Sequence, residues 1–75
     1  MLKDKVHGVI MKHNGGVKLQ ALVEELVALG DMPPNEVKDF AKRVFVLVDK
    51  EMPYLKIVEY MSHAEQKKRY FVCTV

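Results

Sequence analysis

The sequence predicts an α+β protein in which three helices precede a C-terminal two-stranded β-hairpin. Apolar residues recur at helical spacing in three segments of the first 51 residues. Two runs rich in β-branched and aromatic residues follow, and the charged stretch 64–69 separates them. The apolar–polar–apolar segment 17–19 allows a short strand or an extended link between the first two helices. No linker interrupts the 75 residues, so they form one domain, residues 1–75.

The first two helices are predicted over residues 2–13 and 20–29. Asn14, Gly15 and Gly16 end the first one, because Asn and Gly tolerate the left-handed backbone that closes a helix. The apolar stripe of the first helix comprises Leu2, Val6, Val9, Ile10 and His13. The stripe of the second comprises Leu22, Val23, Leu26 and Leu29. Both helices should pack against the rest of the protein through these stripes.

The third helix is predicted from Pro34 to about Glu51. Pro33 precedes it and Pro34 suits its first turn, and its apolar residues Phe40, Val44 and Val48 keep helical spacing. Residues 44–48, taken alone, are also typical of a buried strand, since they are β-branched and aromatic. The length of the segment and the preceding periodicity favour the helix.

The two strands of the hairpin are predicted over residues 54–62 and 69–75. In the second strand Phe71, Cys73 and Val75 alternate with the residues between them, and we expect Phe71 to be buried with Phe40 and Val44. The first strand alternates less regularly. Either a bulge shifts its face, or both of its faces are partly covered.

The composition is that of an ordinary globular protein, with a net charge of +2 that permits nucleic-acid binding without arguing for it. The single cysteine excludes an intramolecular disulfide. The first residues lack the apolar core of a signal peptide, and no run reaches the ~20 apolar residues of a membrane span. These features predict a soluble cytoplasmic protein without a membrane partner.

No residue pattern indicates an enzyme, a metal site or a bound cofactor. His7, His13, His63 and Cys73 do not have the spacing of a metal site. Gly15-Gly16 lacks the surroundings of a nucleotide-binding loop, and neither Ser62 nor Cys73 has an assignable base. We therefore predict a binding protein.

The order of the elements and two local sequences resemble the winged helix-turn-helix superfamily over essentially the whole chain. The first local sequence is Ile57-Val58-Glu59-Tyr60, a charged loop, and the aromatic return strand 69–73. The second is the segment 17–26, which is similar to the superfamily's entry into its second helix. The resemblance implies a recognition helix in the third segment and a wing at residues 60–69. It also implies a small DNA-binding protein, of the kind that regulates transcription, or a protein-interaction module that has lost DNA binding.

Three adjacent cations, Lys67, Lys68 and Arg69, form what we name the basic triplet, predicted to lie at the tip of the hairpin. Cations on an exposed tip can neutralise phosphates of duplex DNA and release counterions. They can equally form a solvated turn that keeps the hairpin from pairing with other strands. Both interpretations fit the sequence.

The third helix presents further candidates for contacts to DNA. Asn35, Lys38 and Lys42 share an outward face, and Arg43 lies beside them. Acidic residues occupy the same half of the helix, and Asp39 is spaced to pair with Arg43. This mixed charge favours the alternative, a winged-helix adaptor that binds protein.

Phe45 and Val46 are the candidates for a contact to a protein partner or a second copy of the chain. Val46 should point away from Val44 and therefore outward. There it could form an apolar surface together with Phe45. The alternative is that the third helix is buried on more sides, so that Val46 is covered. A homodimer would use the first helix or the edge of the hairpin. Tyr54, Tyr60 and Tyr70 on the hairpin either pack at the sheet or stack on single-stranded bases, and packing is favoured.

Overall fold

The computed structural model describes residues 1–30 and 37–75 and has the predicted α+β class. The described residues form three helices, namely α1 (Leu2–Lys12), α2 (Leu19–Ala28) and α3 (Val37–Glu51). They also form three strands, namely β1 (Gly16–Lys18), β2 (Leu55–Ser62) and β3 (Lys67–Thr74). The short strand allowed between the first two helices is therefore present, one residue earlier than expected.

The three strands form one antiparallel sheet in the order β1-β3-β2. The pairing of β2 with β3 runs without interruption from Leu55 opposite Thr74 to Ser62 opposite Lys67. This register excludes a bulge in β2, so the second interpretation of its irregular alternation is correct. Leu55 is buried on one face and Tyr60 is half-buried on the opposite face, so both faces are partly covered.

The core lies between the three helices and one face of the sheet. Its buried residues are Val6, Val9, Ile10, Val17, Leu22, Val23, Leu26, Phe40, Val44, Val48, Met52, Leu55 and Val72. The predicted stripes of α1 and α2 supply six of them, whereas Leu29, beyond the last residue of α2, is 59% exposed. The predicted stripe of α2 therefore includes one residue, Leu29, that lies beyond the helix and does not join the core.

The prediction that Phe71 shares the core with Phe40 and Val44 is wrong. Val72 is fully buried, and it stands opposite Val17 and Ile57 on the sheet face that meets the helices. Since neighbouring residues of a strand point to opposite faces, Phe71 lies half-buried on the outer face. The strand does alternate as predicted, but the set of residues that contains Val72 faces the core, and the set that contains Phe71 does not.

The turn between α1 and β1 fixes the position of β1 against β3. Asn14 and Gly15 have φ angles of 59° and 86°, the left-handed conformation that the sequence predicts there. The backbone N–H of Gly15 donates to Ile10 at 2.9 Å, and its carbonyl accepts from Thr74 at 2.8 Å. One residue thereby ends the helix and ties it to the last residue of β3.

A charge cluster connects the end of α1 to α2. The Glu25 carboxylate accepts a hydrogen bond from Lys12 Nζ at 2.8 Å and another from His13 Nε2. These two bonds lower the pKa of Glu25 below its ordinary value. The cluster stabilises the packing of α1 on α2 as long as Glu25 is ionised.

The order of helices and strands is compatible with the winged-helix arrangement that the resemblance implies. None of the helices within residues 1–30 and 37–75 has the length and apolar character needed to cross a membrane.

Candidate nucleic-acid interface

The segment that could also have been a strand is part of α3. Phe40, Val44 and Val48 are buried and lie one turn apart, so they form a continuous line along the side of the helix that faces the core. Residues 44–48 are helical because Val44 and Val48 are buried on the same side of a helix. In a strand, the alternate residues 44, 46 and 48 would share one face, and Val46 is exposed while the other two are buried. The preference for a helix is confirmed.

The outward side of α3 carries the predicted cations. Lys38, Lys42 and Arg43 are all exposed, whereas Asn35 lies outside the described residues. Within the described part of the chain, no ion pair joins Asp39 to Arg43, contrary to expectation. Two exposed side chains one turn apart gain little from pairing in water, so sequence spacing does not ensure a contact.

Phe45 and Val46 do not form the joint apolar surface that the sequence suggested. The Phe45 ring packs edge-on against the Tyr70 ring of β3, with 5.2 Å between the ring centroids. Val46 is 54% exposed, so the alternative that α3 is buried on more sides is wrong. The two side chains separate because successive residues of a helix are turned by about 100°.

The basic triplet does not lie at the tip of the hairpin. Pairing continues to Ser62 opposite Lys67, so β3 begins at Lys67 and the turn consists of residues 63–66. Because residues of a strand alternate, Lys67 and Arg69 project from one face and Lys68 from the other. The triplet was expected to act as one cluster of charge, and the strand divides it.

Arg69 is held by the turn that precedes it. Its Nε donates to Glu65 Oε1 at 3.0 Å, its terminal nitrogen donates to Glu65 Oε2, and its side chain is 25% exposed. The Ser62 hydroxyl donates to the same carboxylate at 3.3 Å. The bonds from Arg69 lower the pKa of Glu65, and the bond to Glu65 raises the pKa of Arg69. A guanidinium with a bidentate carboxylate partner is not the free tip cation that the sequence predicted.

Lys68 lies next to Glu59 of β2, with Nζ 3.2 Å from Oε1, and Lys67 is exposed. Lys67 takes part in no ion pair among residues 1–30 and 37–75. Lys67 nevertheless acts on the Glu65 carboxylate through its charge. Among the described residues, the triplet therefore contains one cation outside any ion pair, one loosely paired and one firmly paired.

Two of the three tyrosines have packing partners. Tyr70 packs on Phe45, and the Tyr54 hydroxyl is hydrogen-bonded to His7 Nδ1 at 2.9 Å. Tyr54 precedes β2, and its ring meets that of His7 edge to face. These contacts agree with the packing interpretation of both residues.

A cleft of about 420 Å³ lies between the start of α2, the first half of α3 and the turn end of the hairpin. Lys18 of β1, Lys38 of α3 and Lys68 of β3 all line it, together with Glu24 and Glu65. The cleft lies where β1 pairs only with residues 71–73, which leaves residues 67–70 of β3 without a strand neighbour on that edge. Three elements distant in sequence thus bring positive charge to one place.

Lys18 was not singled out in the sequence, where it appeared only as the polar residue of a short apolar segment. No local signal in the sequence pointed to it, because its place in the cleft depends on the pairing of β1 with β3. Glu65 was also missed as the partner of Arg69, although the two residues are four apart.

The chemistry that this arrangement supports is the binding of an anionic partner. Within the described ranges no group of three or more His, Cys, Asp or Glu side chains could hold a metal ion. Comparisons with protein-family models, with curated proteins and with solved structures found no match.

Proposed function

We propose that the protein binds duplex DNA and acts as a small transcriptional regulator of the winged-helix type. The observation that carries the proposal is the convergence of Lys18, Lys38 and Lys68 on one cleft. In this proposal the outward side of α3 enters the major groove, and the cations of the cleft bind the adjacent phosphates.

The distribution of charge around α3 suits a groove lined on both sides by phosphates. Taking about 100° per residue, Lys38 projects toward the hairpin side of the exposed arc, whereas Lys42 lies near its middle, beside a shallow groove of the protein that Arg43 and Val46 also line. Arg43 and Lys50 project toward the opposite side. The major groove is about 12 Å wide and admits an α-helix, so Lys38 on one side and Arg43 and Lys50 on the other would face the two phosphate walls.

The affinity of a single copy should be modest and strongly dependent on salt. About four phosphate contacts would give a slope of log K against log salt of roughly −4. Glu59 and Glu65 offset part of the charge of Lys68 and Arg69, and the net charge of the chain is only +2. A second bound copy on the same duplex would raise the effective affinity without new contacts in either copy.

The test is fluorescence anisotropy with a labelled random-sequence duplex over a range of salt concentrations. Lys38→Ala and Lys68→Ala should each weaken binding and flatten the slope by about one unit. Lys56→Ala is the matched control, because Lys56 is exposed beside Cys73 on the outer face of the sheet and its loss changes the net charge equally. Circular dichroism verifies that each variant is folded.

A wild-type protein that does not bind duplex DNA even at low salt would contradict the proposal. Equal effects of the Lys56 substitution and of the two cleft substitutions would show binding by general charge and not through this cleft.

A second candidate function is that of an adaptor that binds protein through α3. The observation that favours it is a shallow groove lined by Leu2, Val46 and Leu47, with Lys42, Arg43 and Glu51 also around it. Mixed charge around an apolar centre is typical of a protein contact. Absence of DNA binding in the salt series would favour this candidate.

A further inference from the structure

Val46 is the exception among the exposed residues of α3. Eight residues of the helix are exposed, and all except Val46 are charged: Lys38, Asp39, Lys42, Arg43, Asp49, Lys50 and Glu51. Val46 is 54% exposed, and it lies nearly opposite the buried line of Phe40, Val44 and Val48. At about 100° per residue, Val46 and Lys42 lie equally close to the middle of the outward side, and Val46 is the apolar one of the two.

The middle of the outward side is the part of a groove-bound helix that reaches the base edges. Residues at the margins of the exposed arc point toward the groove walls, where the phosphates are. Apart from the last residue of the helix, the outermost exposed residues of α3, Lys38 and Arg43, are cationic on both margins. Val46 points between them, with Lys42 and Lys50 one turn away on either side. A side chain at this position meets bases and not phosphates.

Valine has no hydrogen-bonding group on its side chain, so it cannot satisfy the donors and acceptors that most base edges present. The 5-methyl group of thymine is the apolar feature that the major groove offers. Burying a methyl group against an apolar side chain is favourable, and placing valine against the amino group of cytosine leaves that group without a partner.

We propose that Val46 is a specificity-determining residue that recognises the 5-methyl group of one thymine in the preferred duplex. This inference rests on the proposed DNA-binding function and adds to it the base feature that α3 recognises. It gives Val46 a role different from that of the surrounding lysines. They contribute affinity for any sequence, and Val46 distinguishes a T·A pair from the others at one position.

The experiment begins with selection of preferred sites from a randomised duplex pool by the wild-type protein. Each thymine of the selected site is then replaced by uracil, which removes the methyl group and retains the base pairing. Affinities are measured by anisotropy for the wild type, for Val46→Ala and for Val58→Ala. Val58 is the matched control, because it is 42% exposed and lies on the outer face of the sheet, opposite Phe71.

The wild type should lose ~3–5-fold in affinity at one thymine, the effect expected from one buried methyl group. Val46→Ala should bind the thymine and uracil duplexes almost equally, whereas Val58→Ala should retain the wild-type difference. The inference is overturned if Val46→Ala keeps that difference, if no thymine shows one, or if selection yields no preferred sequence. Each of those outcomes leaves duplex binding itself intact, whereas absence of any binding contradicts both proposals.

Discussion

The ring of Phe71 lies directly over Gly16 on the outer face of the sheet. A Cβ atom placed on Gly16 would stand 2.8 Å from Phe71 Cζ and 2.9 Å from Cε1, closer than real Cβ contacts allow. Gly16 begins β1 and pairs with Cys73, so the absence of a side chain lets the ring cover this end of the strand. The glycine is thus explained by a close approach and not by its backbone conformation.

Gly16→Ala should lower the free energy of unfolding by ~1–3 kcal/mol, because the methyl group displaces the Phe71 ring or moves β1 away from β3. Urea denaturation measures the change. Gly8→Ala is the control, since apart from the chain neighbours and the backbone of α1 itself no atom lies within 4 Å of its Cβ position. The control should stabilise the protein by ~0.5–1 kcal/mol. Equal effects of the two substitutions would contradict the proposed close packing.

Phe40→Ala should destabilise the protein far more than Phe71→Ala. Phe40 is 2% exposed at the centre of the core, so its loss leaves a cavity and should cost ~3–5 kcal/mol, much of the stability of so small a domain. Phe71 is half-buried on the outer sheet face, where truncation opens a site to solvent and not a cavity. Thermal unfolding compares the variants. A Phe40→Ala midpoint near that of the wild type would contradict the core assignment.

Glu25 should contribute to stability in a manner that depends on pH. Lys12 and His13 lower its pKa in the folded protein, so its contribution is present above the ordinary glutamate value of 4.5. The contribution is lost as the pH falls through the lower, folded-state pKa. Glu25→Gln should therefore be less stable than the wild type at pH ~7, and the difference should shrink below pH ~4.5.

Denaturant unfolding between pH ~3 and ~7 measures this difference. Glu24→Gln is the matched control, because Glu24 accepts a hydrogen bond from the neutral Gln20 amide. A stability difference for Glu25→Gln that stays constant over the whole range would exclude the ionised cluster as its cause.

The helices and strands could be predicted from the sequence because their apolar periods are strong and their ends carry local signals. Asn14 and Gly15 mark the end of α1, and both adopt the expected left-handed conformation. The inward side of β3 could not be predicted in the same way. Its two alternating sets are both apolar, and the choice of Val72 over Phe71 depends on the pairing with β1 and β2.

The candidate interface was predicted only where it depends on a single element. The exposure of Lys38, Lys42 and Arg43 follows from the helical period, and it was correct. The prediction that the basic triplet lies at the tip of the hairpin was wrong, because the turn comprises only residues 63–66 and the triplet belongs to β3. The length of that turn could not be derived from the sequence. The contribution of Lys18 to the cleft depends on how β1 meets β3, which no local pattern in the sequence records.

Glu65→Gln should strengthen binding to duplex DNA at the proposed interface. Arg69 lines the same cleft as Lys38 and Lys68, but the Glu65 carboxylate occupies its guanidinium. A phosphate must compete with that carboxylate for the same planar donors. Neutralising Glu65 should release one cation for a phosphate and steepen the salt slope by about one unit. The loss of stability should be small, since solvent screens exposed ion pairs.

Anisotropy across salt concentrations measures this effect, and the double variant Glu65→Gln/Arg69→Ala assigns it. Adding Arg69→Ala should abolish the gain, whereas Arg69→Ala alone should change the slope little, because that guanidinium is already paired. Glu25→Gln makes the same change of charge at a cluster formed with Lys12 and His13, and it should leave the slope unchanged. Weaker binding by Glu65→Gln would show instead that the carboxylate orients Arg69 for its phosphate. In that case the ion pair belongs to the binding geometry and does not compete with it.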